Sequence, residues 1–197
     1  MVRLTRIYTR AGDDGTTRLV DNSLVSKNDL RLQAYADVDE ANAAIGVALA
    51  LGSPAEDIAS VLLSVQNDLF DVGADLGNPF DPSVESEGDV RPLRVEATYV
   101  DRLERWCDAY NARLEPLRSF VLPGGTSASA LLHQARAIVR RAERTAWRAY
   151  DEHRDAVNLE AIKYLNRLSD LLFVLARVAN LPPDGSGDVT WKPGAGG

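Results

Sequence analysis

The chain has 197 residues, 22 Lys and Arg against 29 Asp and Glu, a formal net charge of −7, and 45% hydrophobic residues. That length suits one compact domain with a core large enough to fold without metal or disulfide staples, and Cys107, the only cysteine, excludes an intramolecular disulfide. The acidic balance argues against non-specific nucleic-acid binding, no apolar run approaches the ~20 residues of a membrane span, and no signal-peptide core opens the chain, so a cytoplasmic protein is expected.

The N-terminal segment from Ile7 to Leu19, IYTRAGDDGTTRL, is punctuated by glycine and mixes hydroxyls with Arg10 and Arg18. Such a loop suits an anion-binding nest of backbone N–H groups, or else a β-like arm turning at Asp13-Asp14-Gly15. It matches neither the P-loop pattern nor a dinucleotide fingerprint. A first helix is predicted from about Arg31 to Leu51, with Leu32, Tyr35, Val38, Asn42, Ile45 and Leu49 at helical spacing. Its segment YADVDEANAAIG puts Tyr35, Asp39, Asn42 and Gly46 on one face. Asp39 is there either a partner for an arginine elsewhere or one of several solvated acids near a helix N-terminus. After the break at Ser53-Pro54, Ile58, Leu62, Val65, Leu69, Val72 and Leu76 alternate steps of four and three, the seam of a second helix. From Gly77 to Arg94 the chain is proline-rich, acidic and nearly aperiodic, which predicts a mobile loop.

Tyr99, Leu103, Trp106, Tyr110 and Leu114 define a third helix ending before Pro116. A Pro-Gly-Gly turn then opens the fourth, predicted from about Ser127 to Glu152 with Thr126 or Ser127 as N-cap. Leu131, Ala135, Ile138, Ala142 and Ala146 form its expected apolar stripe, and Arg136, Arg140, Glu143 and Trp147 run beside it. Charges bordering a buried stripe need partners of opposite sign, and arginine is the side chain best suited to phosphate. Arg136, Arg140, Arg141, Arg144 and Arg148 against one or two acids leave surplus positive charge, so an anion site competes with a plain ladder of intrahelical ion pairs. A fifth helix from about Leu159 to Leu181 buries Ile162, Leu165, Leu168, Leu172 and Leu175 or Ala176. Its neighbouring row, Asn166, Asp170, Phe173 and Arg177, fits an interhelix network and a base or ribose reader equally well. The closing DGSGDVTWKPGAGG is too rich in glycine for a stable element. With no convincing strand pair and no repeat, the fold class expected is all-α, an antiparallel five-helix bundle. His133 and His153 lack the glutamate spacing of a di-iron bundle, and Cys107 beside Trp106 reads as structural.

Four segments in order, IYTRAGDDGTTRL, YADVDEANAAIG, FVLPGGTSASALLHQARAIVRRAER and NLEAIKYLNRLSDLLFVLAR, together resemble the PduO-type ATP:cob(I)alamin adenosyltransferases over nearly the whole chain. The resemblance implies a single domain over residues 1–197: an ATP loop at 1–30, a helical bundle at 31–181 and a flexible tail at 182–197. It also implies a homotrimer with ATP and cobalamin bound between subunits, and transfer of the 5′-deoxyadenosyl group of ATP to the cobalt of cob(I)alamin with release of triphosphate. Under it Thr9, Arg10, Ala11, Gly12, Gly15, Thr17, Arg18 and Lys27 wrap the triphosphate, with Mg²⁺ accompanying the ATP. Arg140, Arg141, Ala142, Glu143, Arg144 and Asn166 take nucleotide positions, Arg136 and Asp39 an inter-subunit ion pair, and Phe120 the corrin face. Arg10 stands where lysine is common and Ala36 where glycine is common. No protein metal ligands are implied. A flavin-type reductase and an adenosylcobalamin-dependent recipient enzyme are the implied partners. A nucleotide-gated adenosylcobalamin carrier or sensor, and a purely structural bundle, are the competing readings.

Overall fold

The computed structural model describes residues 8, 10, 12–79 and 93–194. Thr9, Ala11 and most of the predicted mobile loop, residues 80–92, lie outside them. Among the described residues, five α-helices follow a short hairpin: β1 (Thr16–Arg18), β2 (Leu24–Ser26), α1 (Leu30–Gly52), α2 (Glu56–Leu76), α3 (Ala97–Asn111), α4 (Ser127–His153) and α5 (Leu159–Val178). The fold is mostly helical, as expected, and the hairpin is a strand pair that the sequence did not reveal. β1 and β2 are antiparallel, with Thr17 opposite Val25, and three residues each are too short to leave an alternating signal in the sequence.

Helix starts follow cap chemistry. Asp29 accepts from the Arg31 amide to open α1, Thr126 from the Ser129 amide to open α4, and Asn158 from the Glu160 amide to open α5. Both α3 and α5 stop about a turn earlier than their apolar pattern predicts. Ala112 and Ala179 then close the last turns through backbone bonds.

Side-chain contacts set the helix directions. Asp37 of α1 meets Thr145 of α4 while Gly52 meets Ala128, so those helices are antiparallel. Asn42–Gln66 with Tyr35–Gly77 make α1/α2 antiparallel, Glu143–Asn166 with Thr126–Ala179 make α4/α5 antiparallel, and Tyr99–Asp71, Arg102–Asp68 and Arg113–Asp57 make α2/α3 antiparallel. Arg167–Glu104 and the Arg177–Glu115 bond leave α3 and α5 parallel.

The predicted α2 seam is buried at all six positions. On α4 the stripe is shifted: Leu132 and Val139 are fully buried with Ala135, Ala142, Ala146 and Ala149, while Leu131 and Ile138 are only partly buried. On α1 the deepest positions are Ala34, Val38, Ala41, Ile45 and Ala48, with Leu32, Tyr35 and Leu49 at the margin. Alanines on both sides let the α1 and α4 backbones approach closely. At Gly52 even a Cβ would come 2.9 Å from the Ala128 Cα, so only glycine fits.

The tail also departs from expectation. Val121 and Thr190 form an antiparallel bridge, and the Leu122 amide donates to the Val189 carbonyl. Asp188 accepts from Arg177 Nε at 2.7 Å with both side chains nearly buried. Residues 188–191 are therefore docked rather than free: Asp188 is held by Arg177 nearby in the chain, and 189–191 by partners about 70 positions away.

Candidate functional site

The predicted anion residues fall into two clusters. In the first, the Gly15 amide donates to the Gly12 carbonyl, the Lys27 amide donates to the Gly15 carbonyl, and Asp14 accepts from the amide and hydroxyl of Thr16. Those Thr16 hydrogen bonds hold the Asp14 carboxyl below its ordinary range. Lys27 Nζ stands directly over the turn: a Cβ on Gly12 would lie 3.1 Å from it. Arg10 takes a left-handed backbone (φ 63°), the kind of non-glycine outlier that concentrates at ligand sites. A cleft of about 660 Å³ opens here between Arg10, Gly12, Thr17 and Arg18. A second, of about 670 Å³, runs from Thr17 and Lys27 to Gln33, Tyr35, Ala36 and Arg148. Arg148 was counted in the sequence only as surplus charge. Its place in this cleft depends on the α1/α4 register, which no local pattern reveals.

The second cluster lies on α4 and α5. Asn166 donates to Glu143 at 3.1 Å, and Arg144 donates to the Arg140 carbonyl at 3.0 Å. Arg140 and Arg144 are exposed, and neither has a carboxylate partner among the described residues. Arg140 and Glu143, three residues apart on α4, form no ion pair with each other, and the Glu143 carboxylate instead accepts from Asn166. Ala142 is fully buried in the core and so acts through packing.

Arg141 stands apart. It is bonded to Glu40 and lies 3.6 Å from Asp37, which in turn accepts from Thr145 at 2.6 Å. The Arg141 hydrogen bond holds the Glu40 carboxyl below its ordinary range. Arg141 thus clamps α4 to α1, and within this chain its charge is already matched.

Arg136 packs over the Phe173 ring at 5.9 Å, and its buried Nε has no hydrogen-bond partner among the described residues. Burial, with Arg140 nearby, pushes its guanidinium pKa down. Such a group calls for an anion. Asp39 is exposed, has no ion pair among the described residues, and lines an apolar cleft of about 370 Å³ with Tyr35, Ala36, Leu69 and Phe70. His133 packs against the same Phe173 with neither ring nitrogen partnered among the described residues, and burial, aided by Arg136, pushes its pKa down. Burial drives the Cys107 thiol up to about 11, so it is no nucleophile. Phe120, 77% exposed, sits on the loop before α4 with Trp191 at 5.9 Å.

Residues 7–179 match the family model described as cobalamin adenosyltransferase. The corrinoid adenosyltransferase of Mycobacterium tuberculosis H37Rv is 63% identical over 193 residues, 98% of this chain and 96% of that protein. The cobalamin adenosyltransferase of Cupriavidus metallidurans is 44% identical over 96% of each. A solved PduO-type ATP:corrinoid adenosyltransferase from Lactobacillus reuteri, a phenylalanine-to-histidine variant complexed with cobalamin and ATP, superposes with a TM-score of 0.82 at 35% identity, covering 95% of this chain and 97% of that one. With its helices, its exposed arginines and matches of this extent, the chain belongs to the cobalamin adenosyltransferase family.

Proposed function

We infer that this protein transfers the 5′-deoxyadenosyl group of ATP to the cobalt of reduced cobalamin, forming adenosylcobalamin and releasing triphosphate. The observation that carries this reading is the α4/α5 surface. Two exposed arginines without carboxylate partners among the described residues stand beside the Glu143–Asn166 hydrogen bond, a combination suited to a polyphosphate and the nucleoside joined to it. The nucleotide and cobalamin bound in the Lactobacillus reuteri enzyme supply the substrate class.

Reduced cobalt attacks C5′ of ATP, the C5′–O bond breaks, and the electron pair leaves with the triphosphate. Charge therefore grows on the leaving group. Arg140 and Arg144, with Arg10, Arg18 and Lys27 around the glycine turn, would meet that charge, and Gly12, Gly15 and Thr17 would wrap it; Thr9 and Ala11, which the resemblance adds to this loop, lie outside the described residues. Glu143 and Asn166 orient the nucleoside so that attack is in line. Arg141, already matched by Glu40 and Asp37, holds the row in register rather than touching phosphate. Mg²⁺ would travel with the triphosphate, since it binds substrate phosphates through few protein ligands. Among the described residues no cluster of three His, Cys, Asp or Glu side chains offers a cage.

The two basic clusters lie on different elements, and the cleft beside Lys27 is not lined by Arg140, Glu143 or Asn166. A site completed between subunits reconciles them. The buried, unpartnered Arg136 Nε and the exposed Asp39 are then the two halves of an inter-subunit ion pair in a homotrimer. Exposed Leu63 and Phe70, seven residues apart on α2, supply apolar area for such a contact. Phe120 provides an apolar wall at the corrin face, displacing the lower axial base and excluding water so that cob(II)alamin is more easily reduced. A flavin-type reductase would supply the electron, and an adenosylcobalamin-dependent enzyme would take the product. In domain terms, the chain reads as a single domain, with an ATP loop on the N-terminal side of helices that run from Leu30 to Val178.

The test is to incubate the protein with ATP, Mg²⁺ and chemically reduced cob(I)alamin and to follow the corrin spectrum. Conversion to adenosylcobalamin with matching triphosphate is the expected result. ATP binding without conversion would favour a nucleotide-gated carrier, and no ATP binding a structural bundle.

A further inference from the structure

The loop before α4 and the C-terminal tail form a two-stranded ribbon on which the resemblance gives a role to Phe120 alone. Its centre is the Val121–Thr190 bridge. Side chains alternate across a strand, so the flanking positions Phe120, Leu122, Val189 and Trp191 fall on one face. All four are apolar and all are exposed, Phe120 at 77% and Trp191 at 46%. Four large apolar side chains gathered on one exposed face mark a binding surface more often than chance.

The backbone under that face is fixed on both sides. The Trp191 amide donates to the Phe120 carbonyl at 2.7 Å, the Leu122 amide to the Val189 carbonyl at 2.8 Å, and the Ser119 hydroxyl to the Trp191 carbonyl at 2.8 Å. One residue before Val189, Asp188 is tied to Arg177, whose guanidinium also donates to the Glu115 carbonyl at 2.9 Å. The α5 end, the tail and the loop preceding Phe120 are thereby joined at a single buried charge pair. The Trp191 ring then meets Phe120 at 5.9 Å, tilted by 59°.

We propose that Trp191 is a positioning residue for Phe120, its ring and its backbone bond holding that side chain erect as an apolar wall for the corrin. This rests on the reading of Phe120 as the corrin-facing residue. An exposed phenylalanine on an unsupported loop would sample several rotamers, and only an upright one excludes water from the lower face of the cobalt. A tilted aromatic neighbour favours one of them by an amount that corresponds to up to about tenfold in population.

The test uses the full chain as wild type, Trp191→Ala and Trp191→Phe, each with ATP. Electron paramagnetic resonance measures the four-coordinate fraction of bound cob(II)alamin. Turnover is measured from cob(II)alamin with reduced flavin and from chemically pre-reduced cob(I)alamin. Trp191→Ala is expected to lower the four-coordinate signal and the cob(II)alamin rate by about tenfold while changing the cob(I)alamin rate by less than about twofold, with Trp191→Phe restoring most of the loss. An unchanged four-coordinate signal, equal losses in both assays, or a change in solution mass would overturn the proposal. The last of these would make the face a subunit contact. A wild type inert with cob(I)alamin would remove the functional reading itself, and this inference with it.

Discussion

Replacing Asp75 with alanine removes the one carboxylate that joins three segments of the fold. Its side chain is fully buried at the end of α2. One oxygen accepts from Arg94 Nη1 at 2.6 Å, and the other from the Val95 amide and Asn158 Nδ2, both at 2.7 Å. Asn158 is the N-cap of α5, so the same carboxylate braces the helix that carries Asn166. Removing one partner of a buried pair costs about 3–5 kcal/mol, and an orphaned buried amide adds about 1–3 kcal/mol. Arg94 keeps its bonds to the Asn78 and Pro79 carbonyls at 2.6 and 3.0 Å, which holds the total near the lower end, about 4 kcal/mol. For a chain of this size that corresponds to a fall in Tm of about 8–16 °C. Urea unfolding at pH 7 measures it, with Asp75→Asn as control: the amide retains an acceptor for Val95 and should lose about half as much. Hydrogen exchange should quicken at residues 93–96 and at the start of α5 in the alanine variant. A loss below about 1 kcal/mol would refute the claim that this carboxylate integrates the three segments.

Phe120→Ala should cripple turnover from cob(II)alamin and spare turnover from pre-reduced cob(I)alamin; equal losses would remove the axial-ligand role. Asp39→Asn should weaken assembly by about 3–5 kcal/mol per pair, seen by sedimentation, and a stable, fully active trimer would refute the ion pair. Gly125→Ala combines a backbone φ of 102° with a Cβ only 2.0 Å from Asn180 Oδ1, the acceptor for the Thr126 amide. Its Tm should fall by several degrees, and a Tm equal to wild type would contradict the close approach. Hydrogen bonding to Arg31 holds the Asp29 carboxyl below its ordinary value. That stabilisation is present above the ordinary aspartate range and lost as pH falls through the depressed value. Asp29→Ala should therefore cost about 1 kcal/mol at pH 7, with the gap closing under strongly acidic conditions in urea titrations at stepped pH.

Local patterns were legible where the chain offers one solution. The α2 seam is such a case, because its alternating steps of four and three hold over six positions while the flanking Leu63 and Phe70 stay exposed. On α4, Leu131-Leu132 and Ile138-Val139 each offer two adjacent candidates for one stripe. Contact with α1 and α5 selects the second of each, which a single helix cannot reveal. On α1 Leu32, Tyr35 and Leu49 mark the edges, whereas Ala34, Ala41 and Ala48, as deep as Val38 and Ile45, are alanines that carry little hydrophobic signal. The docking of Asp188 on Arg177 and of Thr190 on Val121 needs partners from separate elements, so glycine content alone suggested a free tail. The site followed the same division. Arg10, Gly12, Thr17 and Arg18 fall in one readable segment, Lys27 came only through the family resemblance, and all five lie around one turn. The pairing of Arg141 with Glu40 and Asp37, and the place of Arg148 beside Lys27, depend on how α1 and α4 are registered.

The alanine contact between α1 and α4 gives the helix two unequal faces over evolutionary time. Its inner face has no room for growth: a methyl added near Gly52 and Ala128 would wedge the helices apart and carry Arg141 away from its acids. Its outer face, bearing Arg140, Arg144 and Trp147, meets no such limit. Substitutions that retune nucleotide or corrinoid preference can therefore accumulate on the outside with little cost to folding. Lineages adapting to a different corrinoid should differ outside this contact and keep small residues within it.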